Sequence, residues 1–200
     1  MSLRHSYTLF APFYDPLIAR ATATARRRSL AALVAGPGER VLLVGIGSGL
    51  DIPLLAPGPD YVGLDLTPAM LRRARSRTRR SRMPVILVQG EAGALPFAAA
   101  GFAAVVLHLI LAVAPRPERT LAEASRVLRP GGQMLIFDKF LRPGQRAPLR
   151  RLLSPLVAAL ATRTDVVFEP LLAARPELRL LSDRPALAGG WFRHLVLEKR

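Results

Sequence analysis

Short apolar runs rich in valine, isoleucine and leucine recur along this 200-residue chain and alternate with stretches of helical pattern. Such runs predict strands buried on both faces, and their alternation with helices is typical of a parallel α/β sheet. The predicted strands are Arg40–Gly45, Asp60–Asp65, Met83–Gln89, Phe102–Leu107, Gln133–Asp138, Leu178–Ser182 and Trp191–Glu198. Helices are predicted over Asp15–Ala35, after Ser48, after Thr67 and over Pro117–Leu128. We therefore predict one α/β domain, residues 1–200, built on a doubly wound, seven-stranded, mostly parallel sheet.

The composition narrows the chemistry that the chain can carry. Half of the residues are hydrophobic and 22% are charged, which excludes an intrinsically disordered chain. The absence of cysteine excludes disulfides, zinc–thiolate sites, iron–sulfur clusters and cysteine nucleophiles. Metal ligands could come only from carboxylates and from His5, His108 and His194, and we predict no metal centre. The net charge of +15 comes mainly from arginine, which fits both polyanion binding and a GC-rich coding bias.

A glycine-rich turn follows the first predicted strand, in the sequence Val41-Leu-Leu-Val-Gly-Ile-Gly-Ser-Gly-Leu-Asp51. Its glycines at positions 45, 47 and 49 let the backbone turn tightly and leave room for a ligand. The dinucleotide fingerprint G-x-G-x-x-G needs a third glycine at position 50, where this chain has Leu50. The turn therefore indicates a ligand other than a dinucleotide.

Four motifs in order along the chain resemble those of the class I S-adenosylmethionine-dependent methyltransferases. They are the G-x-G-x-G turn, the strand and helix start Tyr61–Leu71 with its acid Asp65, the loop Gly90–Phe97, and the turn Leu128–Gly132 before strand five. The resemblance covers about residues 7 to 140. It implies the cofactor S-adenosylmethionine, with Asp65 on the ribose hydroxyls and Glu91 on the adenine amino group. The cofactor-binding residues implied or predicted are Gly45, Gly47, Gly49, Asp51, Asp65, Leu66, Glu91, Ala92 and His108.

The chain departs from the family pattern at two positions. Leu43 stands where the family usually has an acid that helps to hold the methionine ammonium, and Phe102-Ala103 stands where Phe-Asp is usual at strand four. The loss at Leu43 leaves Asp51 or backbone carbonyls to supply the counter-charge. It also keeps open a second interpretation, a regulator that binds the cofactor without activity.

Three further segments resemble the small soluble bacterial phosphatidylethanolamine N-methyltransferases, and in part quinone C-methyltransferases. They are Tyr7–Asp15, Pro115–Leu121 and Asp183–Arg193. The resemblance implies a small-molecule or lipid acceptor such as a phosphatidylethanolamine-like amine, with an RNA methyltransferase as the alternative. We expect residues 1–35 to form a helical lid and residues 141–175 a helical insert over the acceptor site.

The candidate catalytic residues are His108 and Tyr14. His108 comes just beyond strand four, where open α/β sheets bind ligands, and is either a base or a core histidine. Tyr14 either stacks against a cationic group or packs as a lid aromatic.

Two arginine-rich segments bear on partners and location. The arginines between positions 72 and 82 form either a solvated helix face or a site for anionic headgroups. Nucleic acid is less favoured as a partner because no aromatic residue is interleaved to stack on bases. The amphipathic segment Leu141–Thr164 is either a surface helix or a contact with an anionic membrane. No signal peptide is apparent, so we expect a cytoplasmic protein that can associate peripherally with the inner membrane face.

Overall fold

Seven strands form one mixed sheet in the computed structural model, which describes residues 20–141 and 166–200. The strands are β1 (Arg40–Val44), β2 (Asp60–Asp65), β3 (Val85–Gln89), β4 (Phe102–His108), β5 (Leu128–Lys139), β6 (Leu178–Leu187) and β7 (Phe192–Lys199). Their order across the sheet is β3-β2-β1-β4-β5-β7-β6. Strands β1 to β5 are parallel, whereas β7 runs antiparallel to both of its neighbours. The predicted fold class is confirmed.

The helices are α1 (residues 20–30 as described), α2 (Pro68–Ser81), α3 (Pro117–Val127) and α4 (Phe168–Ala173), with short 3-10 turns at Ile52–Leu54 and Ala188–Gly190. The prediction of a helix after Ser48 was wrong, because only the 3-10 turn forms there. Pro53 is the second residue of that turn, and the sequence Pro57-Gly-Pro59 follows it and cannot continue a helix.

Helix α1 ends before Ala35, the end predicted for it. The side chain of Gln133 takes over the backbone groups of the chain that leaves the helix. Its Nε2 donates to the Ala32 carbonyl over 3.0 Å, and its Oε1 accepts the Val34 N–H over 2.9 Å. These side-chain hydrogen bonds replace those of a further helical turn. The predicted helix residues before position 20 lie outside the described residues.

The core has two layers, one on each face of the sheet. Leu121 of α3 and Phe168 of α4 pack on one face, and Leu30 of α1 and Ala74 of α2 pack on the other. Because both faces are covered, every residue of β4 is buried, as its continuous apolar run predicts. Helix α2 buries Leu71 and Ala74.

The parallel strands place the ends of β1, β2 and β4 at one edge of the sheet, which we call the site edge. Ligands of open α/β sheets bind at this edge because the loops that follow the strands meet there. Residues 97–114, an apolar stretch in the sequence, fold as a loop, strand β4 and a turn. In the part of the chain described, no helix is long and apolar enough to cross a membrane.

Candidate active site

The glycine turn after β1 depends on left-handed backbone at all three of its glycines. The φ angles are 67° at Gly45, 56° at Gly47 and 82° at Gly49, a region that other L residues rarely adopt. A β-carbon on Gly45 would lie 2.7 Å from Ile110 Cδ1, and one on Gly49 would lie 2.6 Å from Ile52 Cδ1. A β-carbon on Gly47 would meet nothing closer than 4.0 Å. Packing therefore requires Gly45 and Gly49, whereas Gly47 leaves open space beside the turn.

Asp65 connects the end of β2 to this glycine turn. Its Oδ2 accepts the Gly47 N–H over 2.9 Å, and its Oδ1 accepts the Thr67 N–H over 2.8 Å. Burial raises the pKa of Asp65, although these two N–H donors oppose the rise. The Thr67 side chain also hydrogen-bonds to this carboxylate, and the lone-pair capacity that remains could accept from a vicinal diol. Leu66, the next residue, is 42% exposed at the site edge.

The third motif places Glu91 and Ala92 on the loop after β3. Glu91 is exposed, with its Oε1 3.7 Å from Arg116 Nη2, and Ala92 is half-buried against the core. Helix α3 holds the following part of this loop. Arg126 donates to the carbonyls of Leu95 and Phe97 over 3.0 Å and 2.9 Å. The sequence analysis missed this contact, although the spacing of Glu123 and Arg126 on one helix face signals a fixed ion pair.

A buried polar network joins α1 to the site edge. Asp51 Oδ1 accepts from Arg26 Nη1 over 2.9 Å and lies 3.0 Å from His108 Nδ1. The other ring nitrogen of His108, Nε2, lies 2.9 Å from Ser29 Oγ. Arg26 Nε also donates to Thr22 Oγ1 over 3.0 Å. Burial opposes ionisation of Asp51, but His108 and Arg26 hold its pKa well below the usual range.

This network changes how Asp51 and His108 are interpreted. Both ring nitrogens of His108 are within hydrogen-bond distance of a partner, and its side chain is 2% exposed. Asp51, His108 and Ser29 are the three residue types of a hydrolase catalytic triad. Ser29, however, is buried between α1 and the sheet. The contacts of Asp51 with Arg26 and His108 are both made by Oδ1, so Oδ2 is the oxygen that could face an ammonium group. The geometry favours His108 as a positioning residue, and its catalytic role stays a prediction.

Asp138, near the end of β5, fixes the turn that follows β4. Its Oδ2 accepts the Ala112 N–H over 3.0 Å, and its Oδ1 accepts the Lys139 N–H over 2.8 Å. The carboxyl is buried, and burial raises its pKa to about 6 although both N–H donors oppose the rise. Leu109 in that turn has a φ of 58°, so the Asp138 contact holds backbone that is strained for a leucine.

Four predictions concern, wholly or in part, residues outside those described. Tyr14 lies outside them, as do residues 1–19 of the predicted lid 1–35 and residues 142–165 of the predicted insert 141–175. The segment Leu141–Thr164 falls almost wholly in the same gap.

Comparison with known proteins finds methyltransferases. Residues 42–136 match the family model described as a methyltransferase domain. The whole chain aligns with 98% of a phosphatidylethanolamine N-methyltransferase of Cereibacter sphaeroides, at 33% identity over 202 residues.

Solved structures agree on the fold. A putative methyltransferase of Haloferax volcanii, solved in complex with the activator Trm112, matches 99% of this chain and 97% of its own (TM-score 0.78, 18% identity). An S-adenosylmethionine-dependent methyltransferase of Thermotoga maritima, a possible histamine N-methyltransferase, matches over the full length of both chains (TM-score 0.72, 20% identity). With its glycine turn, its acid at the end of β2 and its full-length relative, the chain belongs to the class I S-adenosylmethionine-dependent methyltransferases.

Proposed function

We propose that this methyltransferase transfers the methyl group to the amine of a phosphatidylethanolamine-like lipid. The observation that carries the proposal is the alignment over the full chain with the Cereibacter sphaeroides enzyme at 33% identity. This alignment extends well beyond the cofactor-binding core of residues 42–136. It includes Tyr7–Asp15 and Asp183–Arg193, the segments that resemble this subfamily in the sequence.

The residues at the site edge fit S-adenosylmethionine. The open space at Gly47 suits a ligand lying against the turn, and the two Asp65 oxygens keep capacity for the ribose hydroxyls. Leu66, Glu91 and Ala92 would border the adenine, and Asp51 Oδ2 would face the ammonium group. Gly45 and Gly49 shape the turn, and Leu43 is buried in the core, where it offers the cofactor no charge.

An amine acceptor asks little acid–base chemistry of the protein. When bound, the cofactor supplies a methyl group on a sulfonium sulfur, which is a good leaving group. A neutral amine then needs positioning and removal of water more than a strong base. This fits a His108 whose two ring nitrogens are both occupied. Tyr14, the lid 1–35 and the insert 141–175 would enclose the acceptor.

A lipid acceptor implies work at a membrane surface. We infer a cytoplasmic enzyme that associates peripherally with the anionic inner face of the membrane, supported by the net charge of +15. An RNA acceptor is the alternative that the arginines of α2 favour. A cofactor-binding regulator without activity is the alternative that Leu43 favours.

The experiment is methyl transfer from labelled cofactor into a phospholipid fraction and, in parallel, into RNA. Incorporation into phosphatidylethanolamine is expected. Label in RNA alone would favour the RNA methyltransferase. Absence of label in both, with cofactor still bound, would favour the regulator.

A further inference from the structure

Arg193 lies at the site edge, on the face of the sheet that α4 covers. In the strand register, Arg193 pairs with Asp138 and lies one position beyond the row formed by His108, Phe137 and His194. Its side chain is 6% exposed. Arginine is almost never buried to this degree unless it is paired.

Two carboxylates pair with this guanidinium, but one of its three nitrogens has no hydrogen-bond partner among the described residues. Asp183 accepts from Nε over 3.1 Å and from Nη2 over 2.6 Å, and Glu169 Oε1 lies 2.8 Å from the same Nη2. Three buried side-chain polar atoms in the described part of the chain have no hydrogen-bond partner. Two of them, Arg193 Nη1 and Glu169 Oε2, belong to this cluster.

Unpaired buried polar atoms are costly, and in a native structure each calls for an explanation. Here one is a cationic donor and the other an anionic acceptor, on side chains that are themselves in contact. The cluster carries one positive and two negative formal charges, which suits a ligand that brings a cation. The Phe140 ring centroid lies 6.0 Å from Arg193 Cζ and 5.1 Å from the Phe168 centroid. Arg193 therefore also lies over an aromatic ring that is buried in the core.

We propose that Arg193 and Glu169 form a subsite for a head group that carries an oxyanion and an amine close together, the phosphoethanolamine group. Arg193 Nη1 donates to the phosphate oxygen, and Glu169 Oε2 accepts from the ammonium, which loses one proton to solvent before its nitrogen attacks the methyl group. The reaction that this subsite serves rests on the function proposed above. The recognition itself rests only on the unpaired donor and acceptor.

The test measures binding and turnover separately. Wild-type protein saturated with the demethylated cofactor is titrated by calorimetry with free phosphoethanolamine and with dihexanoyl phosphatidylethanolamine. The same titrations use Glu169→Gln and the matched control Glu198→Gln. Glu198 also pairs with an arginine of the β6–β7 pair, Arg179 at 2.6 Å, but near the end of β7 away from the site edge.

We expect Glu169→Gln to weaken head-group binding about tenfold or more, the effect of losing a charged hydrogen bond. Affinity for the demethylated cofactor and the unfolding midpoint should stay at the wild-type value, and Glu198→Gln should bind as the wild type does. Binding of the lipid alone would identify a membrane source, and binding of both ligands would show that the head group suffices. Either result supports the subsite, whereas binding of neither ligand by the wild type overturns it.

A second measurement uses only wild-type protein and tests the inference even if Glu169→Gln fails to fold. Wild-type protein should bind phosphoethanolamine at least about tenfold more tightly than ethanolamine or inorganic phosphate, because the subsite needs both charges. Equal binding of the three would overturn the inference. A wild type that binds the head group but methylates no lipid would refute the proposed function alone. Lipid turnover with the same KM in Glu169→Gln and wild type would refute the subsite alone.

Discussion

Asp65 combines a structural contact with its predicted contact to the cofactor. The change Asp65→Ala removes the acceptor for the Gly47 and Thr67 N–H groups together with the predicted ribose acceptor. We expect affinity for the demethylated cofactor to fall by about 1–3 kcal/mol, measured by calorimetric titration. Asp60→Ala, at the other end of β2, is the control and should bind normally. Unchanged affinity in Asp65→Ala would contradict the assignment.

Two glycines with similar backbone separate strain from packing. Gly49 and Gly38 have φ angles of 82° and 76°, so alanine is strained at both positions. Only at Gly49 would the new β-carbon clash, 2.6 Å from Ile52 Cδ1 and 3.0 Å from Ala74 Cα. Gly38→Ala should lower the free energy of unfolding by about 1 kcal/mol. Gly49→Ala should lower it by about 1–3 kcal/mol more. Equal losses in urea denaturation would show that packing at the turn is loose.

The buried Asp138 predicts a pH dependence of stability. Its pKa is about 6 in the folded protein, mainly through burial, and about 3.9 in an unfolded chain. The folded state therefore binds the extra proton between these values, and the free energy of unfolding should fall as the pH rises from about 4 to about 6. The expected fall is about 3 kcal/mol, at about 1.4 kcal/mol for each pKa unit. Asp138→Asn should be less stable but lack this slope. The pKa of Asp51 is lowered in the folded protein. Asp51 therefore makes the free energy of unfolding fall as the pH drops below about 4, the opposite direction to Asp138.

At the scale of elements, the docking of α1 depends on one buried cation. Arg26 is the α1 side chain that pairs with Asp51, and both are buried. Arg26→Met leaves a buried carboxylate with His108 as its remaining partner, so we expect a loss of about 3 kcal/mol in the free energy of unfolding. Arg27→Met, at the neighbouring exposed position, should change it by no more than about 0.5 kcal/mol. Equal effects in denaturation experiments would show that α1 is held by its apolar contacts alone.

Elements with a local signal could be predicted from the sequence. Strand β2 has the predicted bounds because its apolar run ends at Asp65, and α2 begins after Thr67 as expected. Strand β5 begins at Leu128 instead of Gln133, because Leu128 pairs with Phe102 before a bulge. No local sequence pattern predicts the contacts between segments that are distant along the chain.

The residues of the candidate site also fall into two groups: those that a local motif predicts and those that only the fold brings together. The glycine turn and Asp65 belong to contiguous motifs, and the sequence predicts them as cofactor residues. The association of Arg26, Asp51 and His108 depends on how α1 crosses the sheet. The pairing of Arg193 with Glu169 depends on the antiparallel β7 and on α4. Spacing along the chain reveals neither arrangement.

At the scale of the whole molecule, the described element with the most positive charge is α2. The helix and the residue that follows it carry seven arginines and no acid. The exposed members of this set are Arg72, Arg75, Arg79, Arg80 and Arg82. The described arginines outside α2 include several that pair with carboxylates, such as Arg129 with Glu39 at 2.5 Å. Among the elements that the structure describes, α2 would therefore attract an anionic surface most strongly.

Vesicle binding tests whether this charge attracts a membrane. The protein should sediment with vesicles that contain anionic lipid, more weakly with zwitterionic vesicles, and less as salt shortens the Debye length from about 10 Å at 0.1 M to about 3 Å at 1 M. Each arginine near an anionic leaflet contributes about 1 kcal/mol. Replacing Arg75, Arg79 and Arg80 by glutamine should therefore weaken binding strongly.

The control for this triple variant replaces Arg119, Arg129 and Arg179 by glutamine. These three arginines are exposed and lie outside α2, and replacing them lowers the net charge by the same amount. Because attraction to a surface falls with distance, the control should lose less binding than the α2 variant. Equal losses would assign the attraction to total charge. Equal binding to zwitterionic and anionic vesicles, or none at low salt, would discard the membrane association and leave an enzyme that meets its acceptor in solution.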